Sequence, residues 1–88
     1  MVQYEINITG RVQGVGFRYF VFKRANELGL SGWVKNTRDG VKVMVQGDQP
    51  GIETLTDYLR TGPSMARVKN VSRIKIPQPD IFEGFTIK

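Results

Sequence analysis

Residues 10–20 read GRVQGVGFRYF, and the periodicity of the chain changes across them. Before this stretch, Val2, Tyr4, Ile6 and Ile8 alternate with Gln3, Glu5 and Asn7, the period-two pattern of a half-buried strand. After it, Phe17, Phe20, Val21, Arg24, Ala25 and Leu28 recur at helical spacing, and Gly29 supplies a stop signal. Between strand and helix stand Gly10, Gly14 and Gly16, with Arg18 immediately beyond them. A strand that passes through a glycine loop into a helix opens a βαβ unit.

The rest of the chain continues the alternation. Leu30 to Lys35 reads as a second strand, Asn36-Thr37-Arg38-Asp39-Gly40 as a hairpin turn with an Asp-Gly signal, and Val41, Val43 and Val45 as the inward side of a third strand. Asp48 and Pro50 suit the cap and first turn of a second helix, whose apolar face is Ile52, Leu55 and Leu59 and which ends at Gly62-Pro63. Val68 to Ile76 predicts a fourth strand, broken by Pro77-Gln78-Pro79, and Phe82 to Ile87 a short fifth. The order β-α-β-β-α-β is that of an α+β, ferredoxin-like sandwich: an antiparallel sheet with two helices on one face, a short extra C-terminal strand, and the other face left largely wet. Residues 1–88 suit a single domain, without repeats, linkers or low-complexity segments.

Composition narrows the chemistry. The chain has no Cys and no His, which removes zinc fingers, thiol nucleophiles, Ser-His triads and imidazole acid–base catalysis. The missing Cys fits a cytoplasmic location. The opening MVQYEINITG has no apolar run of the signal-peptide kind, and no stretch approaches the ~20 apolar residues of a membrane span, so an intracellular soluble protein is expected. The net charge of +5 points to an anionic partner, although cations scattered along the chain also serve solubility.

Glycines where a strand meets a helix permit positive φ and let a ligand approach the main chain. Successive N–H groups can then form an anion nest, reinforced by the positive end of the helix. Arg18, in the first helical turn, can fork two donors onto phosphate oxygens. A tight loop that merely needs glycine would explain the spacing too. It would not explain a cation at the helix's positive end, a placement unfavourable by roughly 0.3–1 kcal/mol. The stretch is neither a P-loop, since Phe17 follows Gly16, nor a dinucleotide fingerprint, since Tyr19 stands where a third glycine is needed. GFRYFVF echoes the aromatic RNA-binding consensus, but those aromatics must lie on a strand, whereas Phe17, Phe20 and Val21 fall on the core face of a helix. No nucleic-acid partner is expected.

GRVQGVGFR followed by GWVKNTRDG resembles the acylphosphatase family. The similarity runs along the whole chain and includes VQG after the third strand and GPSMARV after the second helix. It implies metal-independent hydrolysis of acyl phosphates, the mixed anhydrides of carboxylic and phosphoric acids, with no cofactor. The resemblance makes Arg18 the phosphate-binding arginine and Asn36 the catalytic asparagine that orients the attacking water. It makes Gln13, Gly14, Val15, Gly16 and Phe17 the loop whose amides hold the phosphate. Two positions depart from the pattern: Val21 and Val41 stand where many members have Thr. The implied partner is a small-molecule acyl phosphate, and nothing demands an oligomer, so a monomer is expected.

Read by itself, Asn36 at the end of a strand has a second explanation, because Asn favours turn entry for backbone reasons. Asp39-Gly40 already supplies the tight turn, which leaves Asn36 free to meet Arg18. Lys35 and Arg38 flank Asn36 and could attract an anionic substrate or be plain surface. Glu53 and Asp57 read as a solvated helix face, Trp33 as sheet packing, and Tyr19 has no assigned role. The alternatives to an enzyme are a non-catalytic module that keeps the phosphate cradle, alone or as the opening domain of a larger carbamoyltransferase, and a ferredoxin-like RNA-binding domain.

Overall fold

The computed structural model describes residues 1–88. Its elements are β1 (Val2–Arg11), α1 (Phe17–Glu27), β2 (Ser31–Asn36), β3 (Gly40–Gly47), α2 (Gln49–Thr61), β4 (Arg67–Lys75) and β5 (Phe85–Ile87). The strands form one sheet in the order β4-β1-β3-β2-β5. The ferredoxin-like arrangement is as expected, with boundaries moved by a few residues. The largest changes are in β1, which continues past Ile8 to Arg11 through a register shift between Thr9 and Gly10, and in β5, which begins at Phe85 and not at Phe82.

Even-numbered side chains of β1 turn inward, so Ile6 and Ile8 pack with Val34, Val41, Val43 and Val45 from β2 and β3. Phe17, Val21 and Ala25 of α1 and Ile52, Leu55 and Leu59 of α2 close over them, and all are buried. Phe20 and Leu28 are only half-buried, at the margins of the α1 stripe. Asp48 occupies the cap position of α2 as expected, but its side chain makes no capping hydrogen bond.

One expectation is corrected, and another gains an exception. The sheet is mixed: β1, β2, β3 and β4 pair antiparallel, whereas β5 joins β2 in parallel. An alternating pattern reports which face a side chain takes, not the direction of the neighbouring strand, so a three-residue edge strand carried no such signal. The second face is also not uniformly wet. Gln3 and Gln46 lie on the side opposite Ile6, yet they are 0% and 4% exposed. The chain between β4 and β5 crosses over them. Gln3 Nε2 donates to Asp80 Oδ2 at 2.9 Å, Asp80 N donates to Gln3 Oε1 at 2.7 Å, and Gln46 Nε2 donates to the Asp80 carbonyl. This crossing carries the chain from one edge of the sheet to the other and delivers β5 beside β2.

On the exposed side of α2, Glu53 accepts hydrogen bonds from Arg73 at 2.9 Å and from Gln49 at 2.7 Å. These bonds, Arg73 first, hold the Glu53 carboxyl below its ordinary value of 4.5. A folded-state pKa below the unfolded one stabilises the fold above the unfolded value, and that contribution disappears as pH falls through the folded value. Native protein and Glu53→Gln should therefore differ slightly in urea midpoint at neutral pH and converge as pH falls below about 4.5. Midpoints that stay equally separated at low pH would show that the carboxylate does not contribute this way.

Candidate active site

β1 ends at Arg11 and α1 begins at Phe17, so the whole connection is five residues, Val12 to Gly16. Gly14 has φ 71° and Gly16, the residue that caps α1, has φ 78°. Both lie in the left-handed region, which costs roughly 1–2 kcal/mol for a residue with a Cβ. A Cβ at either position would meet nothing within 4 Å. These glycines are required by their backbone angles alone, and the space above them is open.

The loop is rich in free donors. No N–H from Gln13 to Tyr19 makes a hydrogen bond of ordinary geometry within the protein; the first that does is Phe20 N, to the Gly16 carbonyl at 3.0 Å. No acidic side chain occupies the first turn of α1. Phe17 anchors the turn in the core, while Gln13, Gly14 and Gly16 stay exposed. Consecutive free amides at a positive helix end are an anion-binding arrangement.

Arg18 and Asn36 open onto the same cleft, of about 210 Å³. Gly14 and Gly16 complete its polar side, and Val12, Tyr19 and Ile87 its apolar side. Arg18 Nη1 donates to the Lys88 carbonyl at 2.8 Å, which fixes the side chain and leaves the other guanidinium N–H groups available. Asn36, the last residue of β2 and opposite Val41, is exposed, and its carboxamide takes no part in the side-chain hydrogen bonding that holds its neighbours.

Gln13 differs from the other loop residues. Its Nε2 donates to the Thr37 carbonyl and, at 2.9 Å, to the Gly40 carbonyl. The side chain thus stitches the glycine loop to the β2–β3 turn and keeps Asn36 alongside Arg18; only its backbone N–H is free for an anion. The turn itself is not of the type that the Asp-Gly pair suggested, since Gly40 does not have positive φ. Gly40 is needed for close approach: a Cβ there would lie 1.9 Å from the Ile8 carbonyl oxygen of β1.

Sequence reasoning did not find Tyr19, Ile87 or the Lys88 carbonyl. Tyr19 follows Arg18 directly and was legible only as its neighbour. Ile87 and Lys88 arrive through the parallel pairing of β5, which no local pattern marks. Lys35 points elsewhere, with Nζ 5.3 Å from the Trp33 ring on the open face of the sheet. The residues that echo the RNA-binding consensus lie on α1, as expected. The larger cavity, about 380 Å³, lies between the helices beside Phe20, Arg24 and Tyr58 and includes neither Arg18 nor Asn36. No three His, Cys, Asp or Glu side chains gather as a metal site, and no helix is long and apolar enough to cross a membrane.

The family model described as Acylphosphatase matches residues 4–87. The chain belongs to the acylphosphatase family. It is 41% identical over 87 residues to an acylphosphatase of Thermococcus kodakarensis, covering 98% of this chain and 94% of the relative. It is 44% identical over 82 residues to that of Salinibacter ruber, covering 92% and 86%. The fold superposes on the crystal structure of acylphosphatase from Bacillus subtilis with a TM-score of 0.96 at 36% identity, covering 100% of this chain and 99% of the other. It also superposes, with a TM-score of 0.93 at 32% identity, on 12% of a full-length HypF in a phosphate- and nucleotide-bound form. The acylphosphatase fold therefore occurs both at the length of this chain and inside a much longer one.

Proposed function

We propose that this protein hydrolyses acyl phosphates to a carboxylate and inorganic phosphate, with Arg18 and the amides of Gln13 to Phe17 holding the phosphoryl group and Asn36 orienting the attacking water. One observation carries the reading: Gly14 and Gly16, whose amides are free, line one cleft together with Arg18 and Asn36. The acylphosphatase names of relatives spanning nearly the whole chain support it, as does a neighbour described as phosphate-bound.

The chemistry asks little of the side-chain inventory. The leaving group is a carboxylate whose conjugate acid has a pKa of about 4, so it departs without a general acid. Water attacks phosphorus, the bond from phosphorus to the acyl oxygen breaks, and the carboxylate leaves with the electron pair. Charge on the equatorial oxygens is met by the amides and the guanidinium fork, already placed before substrate arrives. The Asn36 carboxamide oxygen can accept a hydrogen bond from the water but cannot take its proton. That proton passes to the phosphoryl oxygens or to solvent. Val21 and Val41 are fully buried and add no hydroxyl behind Arg18 or Asn36, so positioning rests more heavily on Gln13 and Lys88.

Gln13→Ala removes both stitches to the turn. It should lower kcat about tenfold to a hundredfold through misplacement of Asn36, while inorganic phosphate inhibits almost as before. Unchanged turnover would mean that the turn holds itself in place.

The reading takes a small acyl phosphate as partner and the protein as a monomer of the cytoplasm, in keeping with its lack of Cys. The direct test is benzoyl phosphate hydrolysis by the native chain with a chelator present. Turnover inhibited by inorganic phosphate supports the enzyme. Phosphate binding without turnover would make the protein a binding module.

A further inference from the structure

A second cleft, also of about 210 Å³, adjoins the first. Its walls come from the same two segments, Gly10 to Gln13 on one side and Arg38 to Gly40 on the other. Val12 lines both clefts, and the Gln13 stitches cross between the two segments. Two basic residues, Arg11 and Arg38, line the second cleft, against a single acidic one, Asp39.

The charges here are unbalanced. The ion pairs of the chain are Arg24–Glu27, Lys42–Glu5, Arg60–Asp57 and Arg73–Glu53, so neither Arg11 nor Arg38 has one. Strand pairing sharpens the imbalance, because Arg11 of β1 stands directly opposite Arg67 of β4. Like charges facing each other across an antiparallel pair are destabilising, and Arg67 has no ion pair either. Two arginines without ion pairs thus line the second cleft beside one carboxylate, with a third, Arg67, opposite Arg11 on the neighbouring strand, next to a cleft already furnished for a phosphoryl group. An anion in the second cleft relieves this repulsion, and guanidinium groups bind carboxylates and phosphates bidentately.

We infer that the second cleft is an anion subsite, and that the favoured substrates are acyl phosphates whose acyl group carries a further anionic group, a carboxylate or a phosphoryl group, at its far end. The inference rests on the reading of the first cleft as the phosphoryl site. Arg11 and Arg38 then select the substrate and do not take part in the chemistry.

The test compares 4-carboxybenzoyl phosphate and 4-phosphonobenzoyl phosphate with benzoyl phosphate at low ionic strength. The native chain should favour the better doubly anionic substrate about tenfold in kcat/KM, expressed in KM. Whichever of the two is better identifies the distal group as carboxylate or phosphoryl. Arg11→Ala should abolish most of the preference while keeping benzoyl phosphate turnover within about twofold; Arg11→Ala with Arg38→Ala should abolish all of it, and Arg11→Lys should keep part. Lys23→Gln, which removes a cation of α1 that lines neither cleft, should leave the preference intact. The inference is overturned by a native ratio near one, by a ratio that survives loss of both arginines, or by an equal fall in Lys23→Gln, which would assign the effect to net charge.

Calorimetric binding of 4-carboxybenzylphosphonate against benzylphosphonate makes the same comparison without turnover. Tighter, Arg11-dependent binding of the carboxy compound by a chain that hydrolyses nothing would keep the subsite and overturn the enzyme. Benzoyl phosphate turnover with no such preference would do the reverse.

Discussion

Arg18→Ala should lower kcat/KM for benzoyl phosphate by about a thousandfold or more, the scale on which arginines act in phosphoryl transfer. The guanidinium stands at the positive end of α1, whose first turn holds no acidic side chain, and its one hydrogen bond, to the Lys88 main-chain oxygen, leaves its other donors free. Those donors are the only charged ones in the cleft, the others being neutral groups such as the loop amides. Inhibition by inorganic phosphate should weaken in parallel, because the same fork holds ground state and transition state. Arg18→Lys should recover little of this, since an ammonium offers a point charge in place of a planar fork. The fold should survive, because Arg18 lies outside the buried core. Thermal unfolding and phosphate titration of the variant check both claims together. A loss of only a few-fold would mean that the loop amides bind the phosphoryl group largely unaided.

For Asn36→Ala the expected pattern is different: kcat falls by about a hundredfold to a thousandfold, the cost of removing one positioned polar group from such a site. KM and inhibition by inorganic phosphate should change little, since water is placed on the side of phosphorus away from the leaving group and Asn36 lies across the cleft from the glycine loop. The Asn36 side chain is exposed and makes no hydrogen bond within the protein, so its removal leaves no buried orphan and stability should hold. Single-turnover kinetics beside a phosphate titration separate the two quantities. Phosphate binding lost together with turnover would recast Asn36 as a phosphate ligand, and the water would need another partner.

The two residues differ in how they stand out in the sequence. Arg18 was legible because it violates a local rule: a cation in the first turn of a helix opposes the dipole, and the free amides around it supply the reason. Asn36 looked like an ordinary turn residue, and only the resemblance to acylphosphatases marked it; the structure then showed it beside Arg18. Gln13 was legible as part of the loop, but the work of its side chain was not, because its acceptors are carbonyl oxygens of Thr37 and Gly40, more than twenty positions away.

The alternation of periods is legible from the chain alone. Two-residue repeats in β1 and β3, helical spacing in α1 and α2, and glycines where one period gives way to the other specify elements, order and core face, since each follows from side chains near one another in the chain. Tertiary structure decided the rest: the parallel docking of β5, the burial of Gln3 and Gln46 beneath Asp80, and the meeting of Arg18 with Ile87 and the Lys88 carbonyl. These contacts join residues from 34 to 77 positions apart. They are set by where the last segment can cross the sheet and hydrogen-bond, a competition among distant backbone and carboxamide groups that no local pattern records.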